Sequence, residues 1–169
     1  MATTKLKGNT VNLAGNEVNV GDKAPEVTVV NSDGLADKVV GGAQGKTQLI
    51  VVVPSLDTPV CATETRQFNA KAAELDGVDV TVVSMDLPFA AGRFCSTEGI
   101  ESLTVASDFR NKDFANAYGV LIADGALAGV TCRAIFVVDA NGVVTYKEIV
   151  PEITEEPNYD AALEAAKAA

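Results

Sequence analysis

The chain has 169 residues, 47% hydrophobic and 21% charged, which suits one domain over residues 1–169 with a sizeable core. Its formal net charge of −10 argues against nucleic acid or an anionic membrane as a partner. There is no histidine, so Ser-His-Asp and Cys-His catalysis are excluded. The three scattered cysteines show no zinc-ligand spacing.

No stretch approaches the ~20 apolar residues of a membrane span. The N-terminal lysines, Lys5 and Lys7, lack the apolar core of a signal peptide behind them, so a cytoplasmic location is expected. Cys61, Cys95 and Cys132 are too few and too scattered for a structural disulfide framework. They read as redox or nucleophilic thiols, or as plain core residues.

In chain order, residues 9–20 alternate polar and apolar around Ala14-Gly15-Asn16, predicting a hairpin of Val11-Asn12-Leu13 against Val18-Asn19-Val20. Val27 to Val30 is a short strand ended by the turn Asn31-Ser32-Asp33-Gly34. Gly41 to Thr47 tempts a phosphate-loop reading, but position 40 is Val40 and a strand follows where a helix is required. It reads as a turn before the strand Gln48 to Val53. Pro54 stops that strand, and from Pro59 a helix begins, with Phe68, Ala72 and Leu75 on one face and Gly77 ending it.

Val78 to Ser84 is a second buried strand. Asp86 and Pro88 suit the cap and first turn of a helix carrying Phe89, Phe94 and Cys95. Leu103 to Ala106 reads as a strand, Asn111 to Tyr118 as a helix closed by Gly119. Ala134 to Val138 and Val143 to Tyr146 are strands around the turn Asp139-Ala140-Asn141-Gly142. An acidic loop, Pro151 to Pro157, leads to a terminal helix, Tyr159 to Ala169. Strands alternating with helices, then a hairpin, indicate a mixed α/β sheet covered on both faces.

Cys61 carries the chemistry of greatest interest. It follows a proline-rich loop and sits where a strand hands over to a helix N-terminus. Unpaired N–H groups and the helix dipole favour a thiolate there. By residue type alone it could still be a small buried hydrophobe. Cys95 stands on a second helix beside Ser96-Thr97. By position alone Arg133 is a solvated charge and Thr58 a helix cap.

Pro54-Ser55-Leu56-Asp57-Thr58-Pro59-Val60-Cys61 resembles the active-site loop of the peroxiredoxins. Asp86 to Ala90 with Arg93-Phe94-Cys95, Glu98 to Glu101, Tyr118 to Val120 with Ile122 to Gly125, and Val150 to Thr154 are similar to the bacterial thiol peroxidase subfamily. The resemblance covers nearly the whole chain. It implies a thioredoxin-like three-layer α/β/α sandwich with an added N-terminal β-hairpin. It assigns Cys61 as the peroxidatic cysteine and Cys95 as the resolving cysteine that forms a disulfide with it. Thr58 implies a hydroxyl for the thiolate and peroxide, Pro54 a shield against water, and Arg133 the cation beside the sulfur.

The implied activity is reduction of hydrogen peroxide and organic hydroperoxides, with a thioredoxin-like reductant, a homodimeric assembly and no cofactor. Two other readings are a general disulfide oxidoreductase, disfavoured by the absence of Cys-x-x-Cys, and a redox-sensing protein. Cys132 departs from the pattern, since a small non-cysteine residue usually precedes this arginine. It is either a buried small hydrophobe or a third thiol that competes with Cys95.

Overall fold

The computed structural model describes residues 2–169. The chain opens with β1 (Thr3–Leu6) and β2 (Asn9–Ala14), an antiparallel hairpin. Lys7 and Gly8 link them, with φ of 50° and 84°, the left-handed pair that a two-residue hairpin turn requires.

The hairpin therefore lies earlier than the expected pairing of residues 11–13 with 18–20. Gly15 explains the shift. It has φ 104°, and a Cβ there would fall 2.6 Å from the Asn116 carbonyl oxygen. Asn16 N–H donates to that same oxygen at 2.7 Å. The chain thus runs on across a neighbouring helix end instead of turning back, and Val18 enters the core from a loop.

Next come β3 (Val27–Asn31) and β4 (Asp37–Val40), antiparallel to one another. Between β4 and β5 (Thr47–Val52) the glycine-rich segment wraps the amide of buried Gln48. Gly41 N–H donates to Gln48 Oε1 at 2.9 Å, and Gln48 Nε2 donates to the Gly42 carbonyl at 3.1 Å. This is a turn, as expected.

Then follow α1 (Pro59–Ala72), β6 (Val78–Ser84), α2 (Pro88–Glu98), β7 (Thr104–Ser107), α3 (Asp113–Tyr118), β8 (Leu121–Ile122), β9 (Ala134–Val138), β10 (Val144–Ile149) and α4 (Tyr159–Ala168). A seven-stranded sheet runs β10-β9-β5-β6-β7-β3-β4, and β1, β2 and β8 form a small second sheet. β5 pairs parallel with β6 and antiparallel with β9. Every residue of β5 and β9 is buried, as β-branched runs covered on both faces should be.

Strand alternation builds two cores. Ile50, Val52 and Phe136 face α3 and the small sheet, packing with Phe114, Tyr118, Leu13 and Ile122. Leu49, Val51, Ile135 and Val137 face α1, α2 and α4, packing with Phe68, Ala91, Ala162 and Ala166. The arrangement is the expected three-layer α/β/α sandwich with an N-terminal hairpin. No helix among the described residues is long and apolar enough to cross a membrane.

Candidate active site

Cys61 is placed by the exit of β5. After Val53, whose N–H still donates to the Val83 carbonyl at 3.1 Å, buried Pro54 ends the ladder because it has no N–H to give. Ser55 to Thr58 form a turn. The Thr58 N–H and its Oγ1 hydroxyl both donate to the Ser55 carbonyl, at 3.2 and 2.9 Å. Pro59 then opens α1, pre-set for a first helical position.

Thr58 occupies the cap position, but its side chain does not cap. Its hydroxyl turns back into the loop, so the helix N-terminus is left without a side-chain cap. Cys61, the third helical residue, is completely buried.

Arg133 meets it from the last residue before β9. Its Nη1 lies 3.2 Å from Cys61 Sγ and 2.9 Å from Glu64 Oε2, and its Nε donates to the Ile153 carbonyl at 2.9 Å. The guanidinium is 2% exposed. The solvated position that sequence alone favours is therefore wrong. Strand alternation turns Arg133 inward with Ile135, toward α1.

Ile153 belongs to the acidic loop, which the hairpin pins in place. Ile153 N–H donates to the Lys5 carbonyl at 2.8 Å, and Glu152 accepts from Gly8 N–H at 2.8 Å. The N-terminal hairpin thus reaches the site through one loop carbonyl.

Glu64 is a site residue that sequence reasoning missed. It lies one helical turn beyond Cys61, and that spacing was the available signal. It is fully buried, and its Oε1 has no partner. Burial pushes its carboxyl up to about 7, with Glu148 and Glu156 adding to the rise and Arg133 opposing it. Burial also works against the charge of Arg133, but Cys61 and Glu64 outweigh it and hold the guanidinium protonated above its ordinary value. One fixed cation therefore contacts both the Cys61 sulfur and the Glu64 carboxyl group.

Cys95 sits on α2, half-buried, and faces a groove of about 620 Å³ shared with Ser32, Gly92 and Leu103. Burial raises its thiol pKa, and the Ser32 hydroxyl pulls it partly back. All three cysteines are free thiols. The structure brings Cys61 and Arg133 together, with Thr58 and Pro54 on the adjoining loop. It leaves Cys95 on the neighbouring helix, unbonded to Cys61.

Cys132 does not join them. It packs in the core on the α3 side of the sheet, the opposite side from Cys61, and burial pushes its thiol up to about 12. The buried-hydrophobe reading holds, and the competing-thiol reading is corrected. Successive residues of a strand point to opposite faces, so the position before an inward Arg133 cannot also face α1.

Asp86 is a second correction. It does not cap α2, whose N-cap is Leu87 with no side-chain bond. Its carboxylate accepts from Ser55 Oγ at 2.7 Å, Leu56 N–H at 2.7 Å and Ser84 Oγ at 2.9 Å.

Comparison with known proteins agrees with this geometry. Residues 19–163 match the Redoxin family. The chain is 60% identical over 158 residues to a thiol peroxidase of Aquifex aeolicus, covering 94% of this chain and 92% of that protein. The chain belongs to the peroxiredoxins, in their bacterial thiol peroxidase subfamily. A peroxiredoxin-like crystal structure from Aquifex aeolicus superimposes with a TM-score of 0.96 at 56% identity, covering 99% and 97% of the two chains. A thiol peroxidase from Chromobacterium violaceum, at TM-score 0.87 and 23% identity over 98% and 95% of the two chains, extends the likeness of fold alone. The protein is a peroxidase, an oxidoreductase whose fold is that of thioredoxin.

Proposed function

We propose that the Cys61 thiolate attacks the terminal oxygen of hydrogen peroxide or an organic hydroperoxide. The S–O bond forms as the O–O bond breaks, giving Cys61 sulfenic acid and a water or alcohol once the leaving oxygen takes a proton. The observation that carries this is the 3.2 Å approach of Arg133 Nη1 to Cys61 Sγ. A buried permanent cation favours the thiolate and stabilises the charge that develops on the departing oxygen. The Thr58 hydroxyl, its proton held by the Ser55 carbonyl at 2.9 Å, keeps its lone pairs to accept from the peroxide, and Pro54 keeps water from the sulfur.

The Cys95 thiol then attacks the sulfenic sulfur, forming a Cys61–Cys95 disulfide and releasing water. A thioredoxin-like dithiol returns both to thiols and is itself oxidised to a disulfide. In this cycle α2 opens at its Cys95 end, and the bond that Ile100 N–H donates to the Cys95 carbonyl at 3.0 Å is among those that break.

A homodimer fits the exposed apolar side chains Leu87, Phe89 and Phe109, of which Phe89 is 73% exposed. A cytoplasmic setting, which is reducing, would return the cysteines to thiols between cycles. The chain forms one domain in this reading.

The test is a peroxide titration of wild type, Cys61→Ser and Cys95→Ser, read by intact mass. The expected result is no reaction in Cys61→Ser and trapped sulfenic or higher oxidation in Cys95→Ser. A disulfide still formed within Cys95→Ser, or full turnover by Cys61→Ser, would overturn the cycle.

A further inference from the structure

The turn that presents Thr58 is held from outside itself. Ser55 begins that turn, and both the Thr58 N–H and its hydroxyl hang on the Ser55 carbonyl. Ser55 Oγ and Leu56 N–H in turn donate to the two oxygens of the Asp86 carboxylate, each at 2.7 Å. A carboxylate that receives both donors of a turn fixes its position and its tilt, and such charge-assisted bonds are the strong ones.

Asp86 is itself immobilised from every side. Ser84 Oγ donates to Oδ2 at 2.9 Å, Asp86 N–H donates to that same hydroxyl at 3.2 Å, and Ser107 Oγ donates to the Asp86 carbonyl. Ser84 and Ser107 are the last residues of β6 and β7. The peroxide loop is thus bolted to the C-terminal edge of the central sheet through one residue.

That residue also stands directly before α2. The first bond of the helix, Ala91 N–H to the Leu87 carbonyl at 3.0 Å, involves nothing at Asp86. None of the clasp's bonds lies inside the helix, so α2 can unravel from its Cys95 end without breaking any of them.

Resting on the Cys61–Cys95 cycle above, we propose that Asp86 is a positioning residue that holds the Thr58 turn in the peroxide-reactive geometry, and that its clasp stays closed while α2 opens. One residue thereby separates the part of the site that must stay rigid from the helix that must move.

Two steps read the effect separately. Sulfenic acid formation is followed by rapid quench in the Cys95→Ser background, and disulfide formation in the Cys95-containing protein. Asp86→Asn keeps the size but turns an amide donor toward groups that are themselves donors. It is expected to slow sulfenic acid formation at least about tenfold, the scale on which misplacing a reacting group acts. Disulfide formation should stay within about twofold of wild type. General loosening of the fold would instead speed the opening of α2 and hence the disulfide step.

Hydrogen exchange supplies the second readout. In wild type the Leu56 amide is expected to remain protected in both redox states, while residues 93–100 lose protection on oxidation. In Asp86→Asn, Leu56 loses protection in both. If Asp86→Asn does not fold, Ser55→Ala removes one of the two loop bonds and should slow the same step by about threefold.

A sulfenic acid rate within twofold of wild type despite an unprotected Leu56 amide would overturn the proposal. So would loss of Leu56 protection on oxidation of the wild type. Failure of the cycle itself looks different: a disulfide between other cysteines in Cys95→Ser, or full turnover by Cys61→Ser, regardless of what Asp86 does.

Discussion

α1 and α2 each carry a cysteine on the same side of the sheet, yet the two helices are built differently. α1 buries Cys61, Glu64, Thr65, Phe68 and Ala72 along one face, whereas α2 fully buries only Pro88 and Ala91. The Cys61 sulfur lies against a guanidinium that is locked by a loop carbonyl and a buried carboxylate. Cys95 lies half-exposed in an open groove.

α2 is closed at its C-terminus by left-handed Gly99, with Ile100 N–H donating to the Cys95 carbonyl at 3.0 Å, and its weak points lie elsewhere. Like α1 it has no side-chain cap, but unlike α1 it carries Gly92 within its span and has no basic residue in its last turn, where Glu98 faces the negative end of the dipole. Arg66 reaches Glu98 at 3.2 Å, but both are partly exposed, so the pair adds little. Few buried residues, an internal glycine and an uncompensated dipole at the C-terminus mark a segment of low local stability. The contrast is between a sulfur held in a fixed, buried surround and a thiol on a helix that is cheap to open, which is the division of labour the proposed cycle asks for.

The comparison breaks most visibly at Arg133. Arg133→Met keeps the volume but leaves Glu64 and Cys61 without their cation. Sulfenic acid formation is expected to fall by about 10²–10³, the effect of removing a donor to a developing anion. Stability should fall by less than the roughly 3–5 kcal/mol of a broken buried pair, because Glu64 escapes by taking up a proton. Stopped-flow peroxide kinetics and urea melts measure the two; unchanged kinetics would mean that Arg133 is only structural.

Glu64 sharpens the same side through pH. Its folded carboxyl titrates at about 7 against an ordinary 4.5. Between those values the folded state holds a proton that the unfolded chain has lost. Its contribution is therefore present in full below pH 4.5 and is lost as pH rises through 7, by up to about 3 kcal/mol. Urea melts of the reduced protein at fixed ionic strength should show this fall, and Glu64→Gln should flatten it. A wild-type stability that rises with pH across this window would show that Arg133 keeps Glu64 ionised.

Much of this was legible in the sequence, and what was not has physical reasons. The valine-rich strands β5, β6 and β9 declared themselves by composition and by their proline, glycine and aspartate stops. α1 followed from Pro59 and its one apolar face. β4 went unread because Asp37-Lys38 is a charged pair on an edge strand, where charge is a device against further pairing. β8 is two residues long and is defined only by its partner β2.

Cys61 was visible from its loop, but Arg133 came from resemblance, since its partner lies 72 positions away. Glu64 sits among Thr63, Thr65 and Arg66, which reads as a solvated face until that distant cation is in place. Asp86 looked like a cap because capping is the local use of an aspartate before a helix. Its actual partners lie 30 and 31 positions upstream and at the end of β6, the strand just before it.

The smallest expected effect tests the mobile side most directly. Gly92 is a helical glycine, and an added Cβ would meet only the Ser32 carbonyl at 3.5 Å, an ordinary contact. Gly92→Ala should therefore fit and stabilise α2 by roughly 0.5–1 kcal/mol through the lower entropy of the unravelled helix. If the disulfide step waits for α2 to open, that step slows by roughly twofold to fivefold, while sulfenic acid formation is unchanged. Slower resolution leaves the sulfenic acid exposed to a second peroxide for longer, so the sulfinic fraction at high peroxide rises. Rapid quench with intact mass reads all three quantities in one series. A disulfide rate that is unchanged or faster would show that opening of α2 does not limit resolution, and the contrast between the two helices would then have no kinetic meaning.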